Sequence, residues 1–207
     1  MDVLFGDVNP AGRLPYTIAH NESDYNGDIC PCCDCDYKER LDIDYRHFDR
    51  ASISPSFEFG FGLSYTTFNY SDVSVSLTDI GKRQLIASAG GRRVPGGPSQ
   101  LFDPIATASV VVKNTGDVQG DEVAQLYVSY PEGSGEPLNQ LRGFTRLHDL
   151  KPGGSMKANF TLQRRDLSIW DVPSQSWMLV NGTYQLHFGK SSRHFEGMAT
   201  LTLPVSV

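Results

Sequence analysis

From residue 68 onward the chain alternates apolar and polar residues one by one, and this period of two constrains its fold more than any other feature. Val73, Val75 and Leu77 alternate with Asp72, Ser74 and Ser76, and Ala124, Leu126, Val128 and Tyr130 with Val123, Gln125, Tyr127 and Ser129. Ala158, Phe160 and Leu162 alternate with Lys157, Asn159 and Thr161, and Tyr184, Leu186 and Phe188 with Thr183, Gln185 and His187. Successive side chains of a strand point to opposite faces, so each run predicts a strand with one face buried and one wet. Turn chemistry separates the runs at Asn114-Thr115-Gly116-Asp117, Lys151-Pro152-Gly153-Gly154 and Asn181-Gly182. About seven short strands over about 140 residues predict an antiparallel β-sandwich of the immunoglobulin or fibronectin type III kind. Residues 79–104 break the spacing: with Gly90-Gly91-Arg92-Arg93-Val94-Pro95-Gly96-Gly97-Pro98 they exceed the roughly 2–5 residues of a hairpin loop. They read as a solvated, flexible loop, the alternative being that Lys82, Arg83, Arg92 and Arg93 contact an acidic surface.

Ahead of the alternating region, residues 45–68 set Phe57, Phe59, Phe61, Tyr65 and Phe68 around Gly60 and Gly62. Glycine follows a positive-φ backbone at no steric cost, so this stretch predicts a buried connector between two units rather than a strand or helix. Residues 1–20 contain a short apolar piece that ends a helix, broken by Asn9-Pro10-Ala11-Gly12, and a short edge strand over Arg13-Leu14-Pro15-Tyr16-Thr17-Ile18. The expected division is therefore 1–67, a remnant with too little secondary structure to be a domain, and 68–207, the sandwich.

The chain's 207 residues are long enough for one ordinary domain plus a smaller piece. Residues 1–66 hold twelve acidic and five basic residues, the remainder twelve and thirteen, so neither part is basic enough to bind nucleic acid. No apolar run approaches the length that crosses a bilayer. Met1-Asp2-Val3-Leu4-Phe5 lacks the features of a secretory signal. Yet the sequons at Asn21, Asn69, Asn159 and Asn181 and the cluster Cys30, Cys32, Cys33 and Cys35 suit an extracellular protein. The expectation is a piece of a longer secreted protein, glycosylated at those asparagines. Four thiols within six residues read as disulfides stapling a loop, with three connectivities open, since no distant second pair completes a metal tetrahedron. A surface metal cluster is the alternative.

Acid–base hydrolysis uses a pair of facing carboxylates. Asp42, Asp44, Asp49 and Glu58 are available, but each reads as a solvated or structurally paired group. His20, His47, His148, His187 and His194 are scattered without a nucleophile motif or a metal-binding pair. Trp170 and Trp177 read as core, with stacking on a sugar ring as the alternative. No cofactor is implied.

Three stretches carry a resemblance. Asp2-Val3-Leu4-Phe5-Gly6-Asp7-Val8-Asn9-Pro10-Ala11-Gly12-Arg13-Leu14-Pro15 is the first. The second is Asp44-Tyr45-Arg46-His47-Phe48-Asp49 followed by Phe57-Glu58-Phe59-Gly60-Phe61-Gly62-Leu63-Ser64-Tyr65-Thr66-Thr67-Phe68. The third is Arg164-Arg165-Asp166-Leu167-Ser168-Ile169-Trp170-Asp171. In order and content these resemble the C-terminal portion of fungal β-glucosidases of glycoside hydrolase family 3. The resemblance implies that 1–67 is the tail of an α/β sandwich domain and 68–207 a fibronectin type III-like domain. It implies that the intact enzyme removes terminal β-D-glucosyl residues by a retaining mechanism. Its nucleophilic Asp and acid/base Glu would precede residue 1, so no catalytic residue is assigned to this chain, which would brace the upstream catalytic domains as its partners. A freestanding module binding cell-wall polysaccharide or lignin, with β-glucan or cello-oligosaccharide as partner, is the alternative, and within the enzyme class a β-xylosidase.

Overall fold

The computed structural model describes residues 1–27, 29–30 and 34–204. Helix α1 spans Asp2–Phe5 and α2 Tyr45–Arg50. Strand β1 spans Phe68–Leu77, helix α3 Asp79–Arg83, and a small hairpin joins β2 (Arg93–Val94) to β3 (Gly97–Pro98). Then come β4 (Pro104–Asn114), β5 (Gly120–Ser129), β6 (Gln140–Leu150) and β7 (Ser155–Gln163). The chain closes with β8 (Ser168–Asp171), β9 (Ser176–Leu179), β10 (Gly182–Gly189) and β11 (Phe195–Leu203). No helix among the described residues is long and apolar enough to cross a membrane.

Seven of these strands form two sheets, ordered β1-β4-β7 and β11-β10-β5-β6, and every pairing within them is antiparallel. The inward residues are those the alternation selects: Leu126, Val128, Leu186 and Phe188 from one sheet meet Val110, Val112, Phe160 and Leu162 from the other. Phe160 and Phe188 touch across the core with ring centroids 5.8 Å apart. Each such side chain contributes roughly 1.5–3 kcal/mol by leaving water. The turn predicted at Asn114 is closed by that side chain, which is fully buried. Its amide donates to the carbonyls of Val118 and Leu150, both at 2.8 Å, and its oxygen accepts from Thr66 Oγ1 at 2.6 Å.

Two expectations change within the strands. In β1 the register jumps from Ser71 opposite Val111 to Ser74 opposite Ser109, and Asp72 takes φ 49°. This bulge reverses the inward parity, so Phe68 and Tyr70 point inward before it and Val73 and Val75 after it. Asn69 is therefore exposed, whereas uninterrupted alternation groups it with Val73. The outward face of β5 is not wet either: Gln125 and Tyr127 are buried along with Ala124, Leu126 and Val128.

The N-terminal segment covers that face. Tyr45 packs edge-on against Tyr127 at 6.0 Å, with Phe59 behind it at 4.7 Å, and Gln125 Nε2 donates to the Gly60 carbonyl at 3.1 Å. Gly60 has φ 80° and lies so close to the Gln125 carboxamide that no β-carbon fits. Gly62 has no positive φ; it is required because the Gly12 carbonyl crosses it. The connector thus docks on a sheet face. Its burial is smaller than its composition predicts: Phe68 is enclosed, Phe57 and Tyr65 are exposed, and Tyr45 and Phe48 of α2 are buried instead. Residues 14–18 run antiparallel to 57–61 through backbone bonds between Leu14 and Phe61 and between Ile18 and Phe57, forming one isolated bridge rather than a strand.

Residues 79–104 are anchored to the fold, while Lys82, Arg83, Arg92 and Arg93 are solvent-exposed. Leu101 is fully buried, and Arg164, also fully buried, donates to the carbonyls of Gln84 (2.6 Å), Ile86 and Ala87 (3.2 Å). One guanidinium carries enough donors to serve all three carbonyls, of which that of Ala87 also accepts from the Leu179 N–H at 2.8 Å.

Candidate functional site

The seam between residues 9–66 and the sandwich holds a buried ion pair. Arg13 Nη2 meets Glu122 Oε2 at 2.6 Å, and the Tyr70 hydroxyl donates to Glu122 Oε1 at 2.8 Å. Burial pushes the Glu122 carboxyl above its usual range against the pull of Arg13, and burial beside Glu122 pushes the Tyr70 hydroxyl far up. A buried pair of this kind adds little net stability, but loss of one member is costly, so it fixes where Arg13 sits. Asn9 extends the seam, its amide donating to the Gln119 carbonyl at 3.2 Å and its oxygen accepting from Ser64 Oγ and the Tyr65 N–H.

A second cluster lies near the β10–β11 turn. Glu58 Oε1 accepts from Ser191 Oγ at 2.8 Å and faces His194 Nδ1 at 2.8 Å. Burial alone would raise the Glu58 pKa, but the Ser191 bond, its own backbone N–H and His194 together hold it low. Arg193 pairs with Asp49 at 3.1 Å and donates to the Ile53 carbonyl at 2.8 Å. Burial raises the Asp49 pKa, partly offset by Arg193.

The remaining candidate carboxylates are also occupied. Asp44 caps α2 and accepts from the Thr17 N–H and hydroxyl, and Asp42 pairs with Arg50 at 2.9 Å. The structure brings none of Asp42, Asp44, Asp49 and Glu58 together as an acid and nucleophile; each binds a donor of its own chain. The histidines are likewise dispersed: His20 bonds Ser56, His47 the Asp24 carbonyl, His148 Asp121, and His187 Ser129. Among the described residues no group of three or more His, Cys, Asp or Glu is placed to hold a metal ion. Cys30 and Cys35 form a disulfide, while Cys32 and Cys33 lie outside the described residues. Asn21, Asn69, Asn159 and Asn181 are all exposed. Trp170 and Trp177 are not core: they face each other on the β8–β9 hairpin, and Trp170 is 45% exposed.

What remains open is an apolar face. Leu14, Pro15, Phe59, Val123, Leu141 and Phe144 line a groove of about 280 Å³, which continues past Pro15 to Tyr16 and Ile43. Phe144 is 71% exposed at its edge, and α1 buries none of its residues, leaving Val3, Leu4 and Phe5 exposed. A contiguous apolar surface rimmed by polar groups is the property of a docking site. Sequence reasoning missed Phe144, although a signal existed: on its strand it shares parity with Arg142, Arg146 and His148, positions whose polarity marks an outer face. Neither the Arg13–Glu122 pair nor the Arg164 cage left a local signal, since each joins residues 77 or more positions apart.

Residues 1–65 match the glycosyl hydrolase family 3 C-terminal domain, and residues 122–192 the fibronectin type III-like domain. The chain is 51% identical over 215 residues to a probable β-glucosidase N of Emericella nidulans, covering 98% of this chain and 32% of that protein. It superposes on the β-D-glucoside glucohydrolase of Trichoderma reesei with a TM-score of 0.90 at 48% identity, covering 97% of this chain and 28% of that one. β-Glucosidase D2-BGL of Chaetomella raphigera gives 0.90 at 44% identity over 98% of this chain and 28% of its own. The chain therefore spans about a third or less of the relatives it matches.

Proposed function

The chain belongs to glycoside hydrolase family 3 and matches the C-terminal part of its fungal β-glucosidases, and from this premise we propose that it is a non-catalytic brace for the catalytic domains of such an enzyme. The intact enzyme would release terminal β-D-glucosyl residues outside the cell, with its catalytic carboxylates on the preceding domains. In this reading residues 1–67 complete the α/β domain, and 68–207 form the fibronectin type III-like unit that holds them in place. The four exposed sequons and the Cys30–Cys35 disulfide suit secretion.

The observation that carries the reading is the uncovered apolar face around Phe144 and the groove beside it. Its occupant would be the catalytic portion of the enzyme, a reading supported by the length of the matched structure, of which this chain covers 28%. The test supplies the catalytic portion of a matched relative in trans. Residues 1–66 should gain protection in limited proteolysis and the catalytic portion should melt higher, because each side covers apolar surface on the other. Phe144→Glu should abolish both effects, and absence of protection with the unaltered chain would refute the brace. The chain alone should release no more aryl aglycone from an aryl β-glucoside than a mock purification.

A further inference from the structure

Beside the start of β6 the β8–β9 hairpin forms one wall of a second cleft, of about 360 Å³, within the range of small-molecule sites. Trp170 and Trp177 sit directly opposite each other in the hairpin, their rings 5.7 Å apart at 71°. The Arg165 guanidinium lies 5.4 Å over the Trp177 ring and covers one of its faces. Trp170 is left as the exposed platform, its orientation set by the edge-to-face contact with its partner. Opposite the platform the polar wall is already ordered. Buried Gln140 donates to Glu136 Oε2 at 2.6 Å and accepts from Arg142 Nη2 at 2.8 Å, so one amide holds an acceptor and a donor in place. Asp166 adds a carboxylate held by the Gln163 N–H at 2.8 Å.

The charges of this lining decide the ligand class. Arg46, Arg142 and Arg165 stand against Glu136 and Asp166, so a small anion meets carboxylates and a small cation meets guanidinia. A neutral molecule with an apolar face and a rim of hydroxyls meets a suitable partner on every side: an indole for the face, and fixed donors and acceptors for the rim. We infer that the Trp170 cleft binds a β-linked glucan, one pyranose stacking on Trp170 and its hydroxyls reaching Arg165, Glu136 and Asp166. A β-linked chain presents flat, extended pyranose faces that a single exposed indole can take. The cleft adjoins the extended groove at Arg46, but neither Trp170 nor Trp177 lines the groove and Phe144 does not line the cleft, so a Trp170 variant and a Phe144 variant test the two readings separately.

The chain has only two tryptophans and both line the cleft, so its tryptophan emission, excited selectively over tyrosine, reports this site. The 207-residue chain titrated with cellohexaose should show a saturable change in emission. Trp170→Ala should weaken binding by about tenfold or more, read by isothermal calorimetry, whereas Trp170→Phe should retain it to within about threefold. Trp170 is exposed and its removal opens no core cavity, and an unchanged melting curve verifies that. No saturable signal up to about 10 mM cellohexaose, far weaker than the roughly millimolar affinity of a weak site, would overturn the assignment. Equal affinity for maltohexaose, or undiminished binding by Trp170→Ala, would overturn it as well.

Discussion

Replacing Arg164 by Met tests whether residues 84–104 are part of the fold or an appendage to it. The substitution keeps an unbranched side chain of similar reach but removes the donors that serve Gln84, Ile86 and Ala87. Each carbonyl left without a donor away from water costs about 1–3 kcal/mol. Two terms reduce the sum: the guanidinium no longer has to be desolvated, and the Ala87 carbonyl keeps the Leu179 N–H at 2.8 Å. The expected net loss is about 3 kcal/mol, equivalent to a melting point lower by about 6–12 °C for a chain of this size. Arg164→Lys should recover less than half of the loss, because one ammonium cannot reproduce a planar fork aimed at three acceptors. Urea denaturation measures the energy, and amide exchange at Leu179 and Gly90 locates it. A Met variant within about 0.5 kcal/mol of the parent, with unchanged exchange at those amides, would show that the cage does not hold the loop.

Glu122→Ala should cost about 3–5 kcal/mol by stranding the Arg13 guanidinium, and adding Arg13→Ala should return part of that, as a double-mutant cycle would measure. Glu58 is held below its ordinary value of 4.5, so its contribution to stability is complete above that pH and is lost as pH falls through the lowered pKa. Glu58→Gln should therefore flatten the acid limb of a stability–pH profile, and an unchanged limb would mean that the Ser191 and His194 contacts do not persist in solution. In material secreted by a fungal host, mass spectrometry should find glycan on Asn159 and on Asn69 alike, because the bulge in β1 turns Asn69 outward. Occupied Asn159 with unmodified Asn69 would argue against that register shift.

Local periodicity tells which face of a strand is apolar, and that sufficed for the two-sheet architecture: the inward set Leu126, Val128, Leu186 and Phe188 is legible as every second residue. The motifs near Asp2, Asp44 and Arg164 likewise placed the chain in its family, because they are runs of specific residues in a fixed order. Periodicity does not tell what covers the polar face. Gln125 and Tyr127 look solvated in the alternation and are buried only because Tyr45, Phe59 and Gly60, more than 60 residues earlier, lie across them. Parity also fails wherever one extra residue enters a strand, which is how Asn69 and Val73 come to face opposite ways. Trp170 has the composition of a core residue and an exposed ring, since its hairpin leaves one indole uncovered. The Arg13–Glu122 pair and the Arg164 cage were beyond reach for the same reason: their partners are brought together by the packing of the sandwich, and charge buried by distant chain leaves no periodic trace in the sequence.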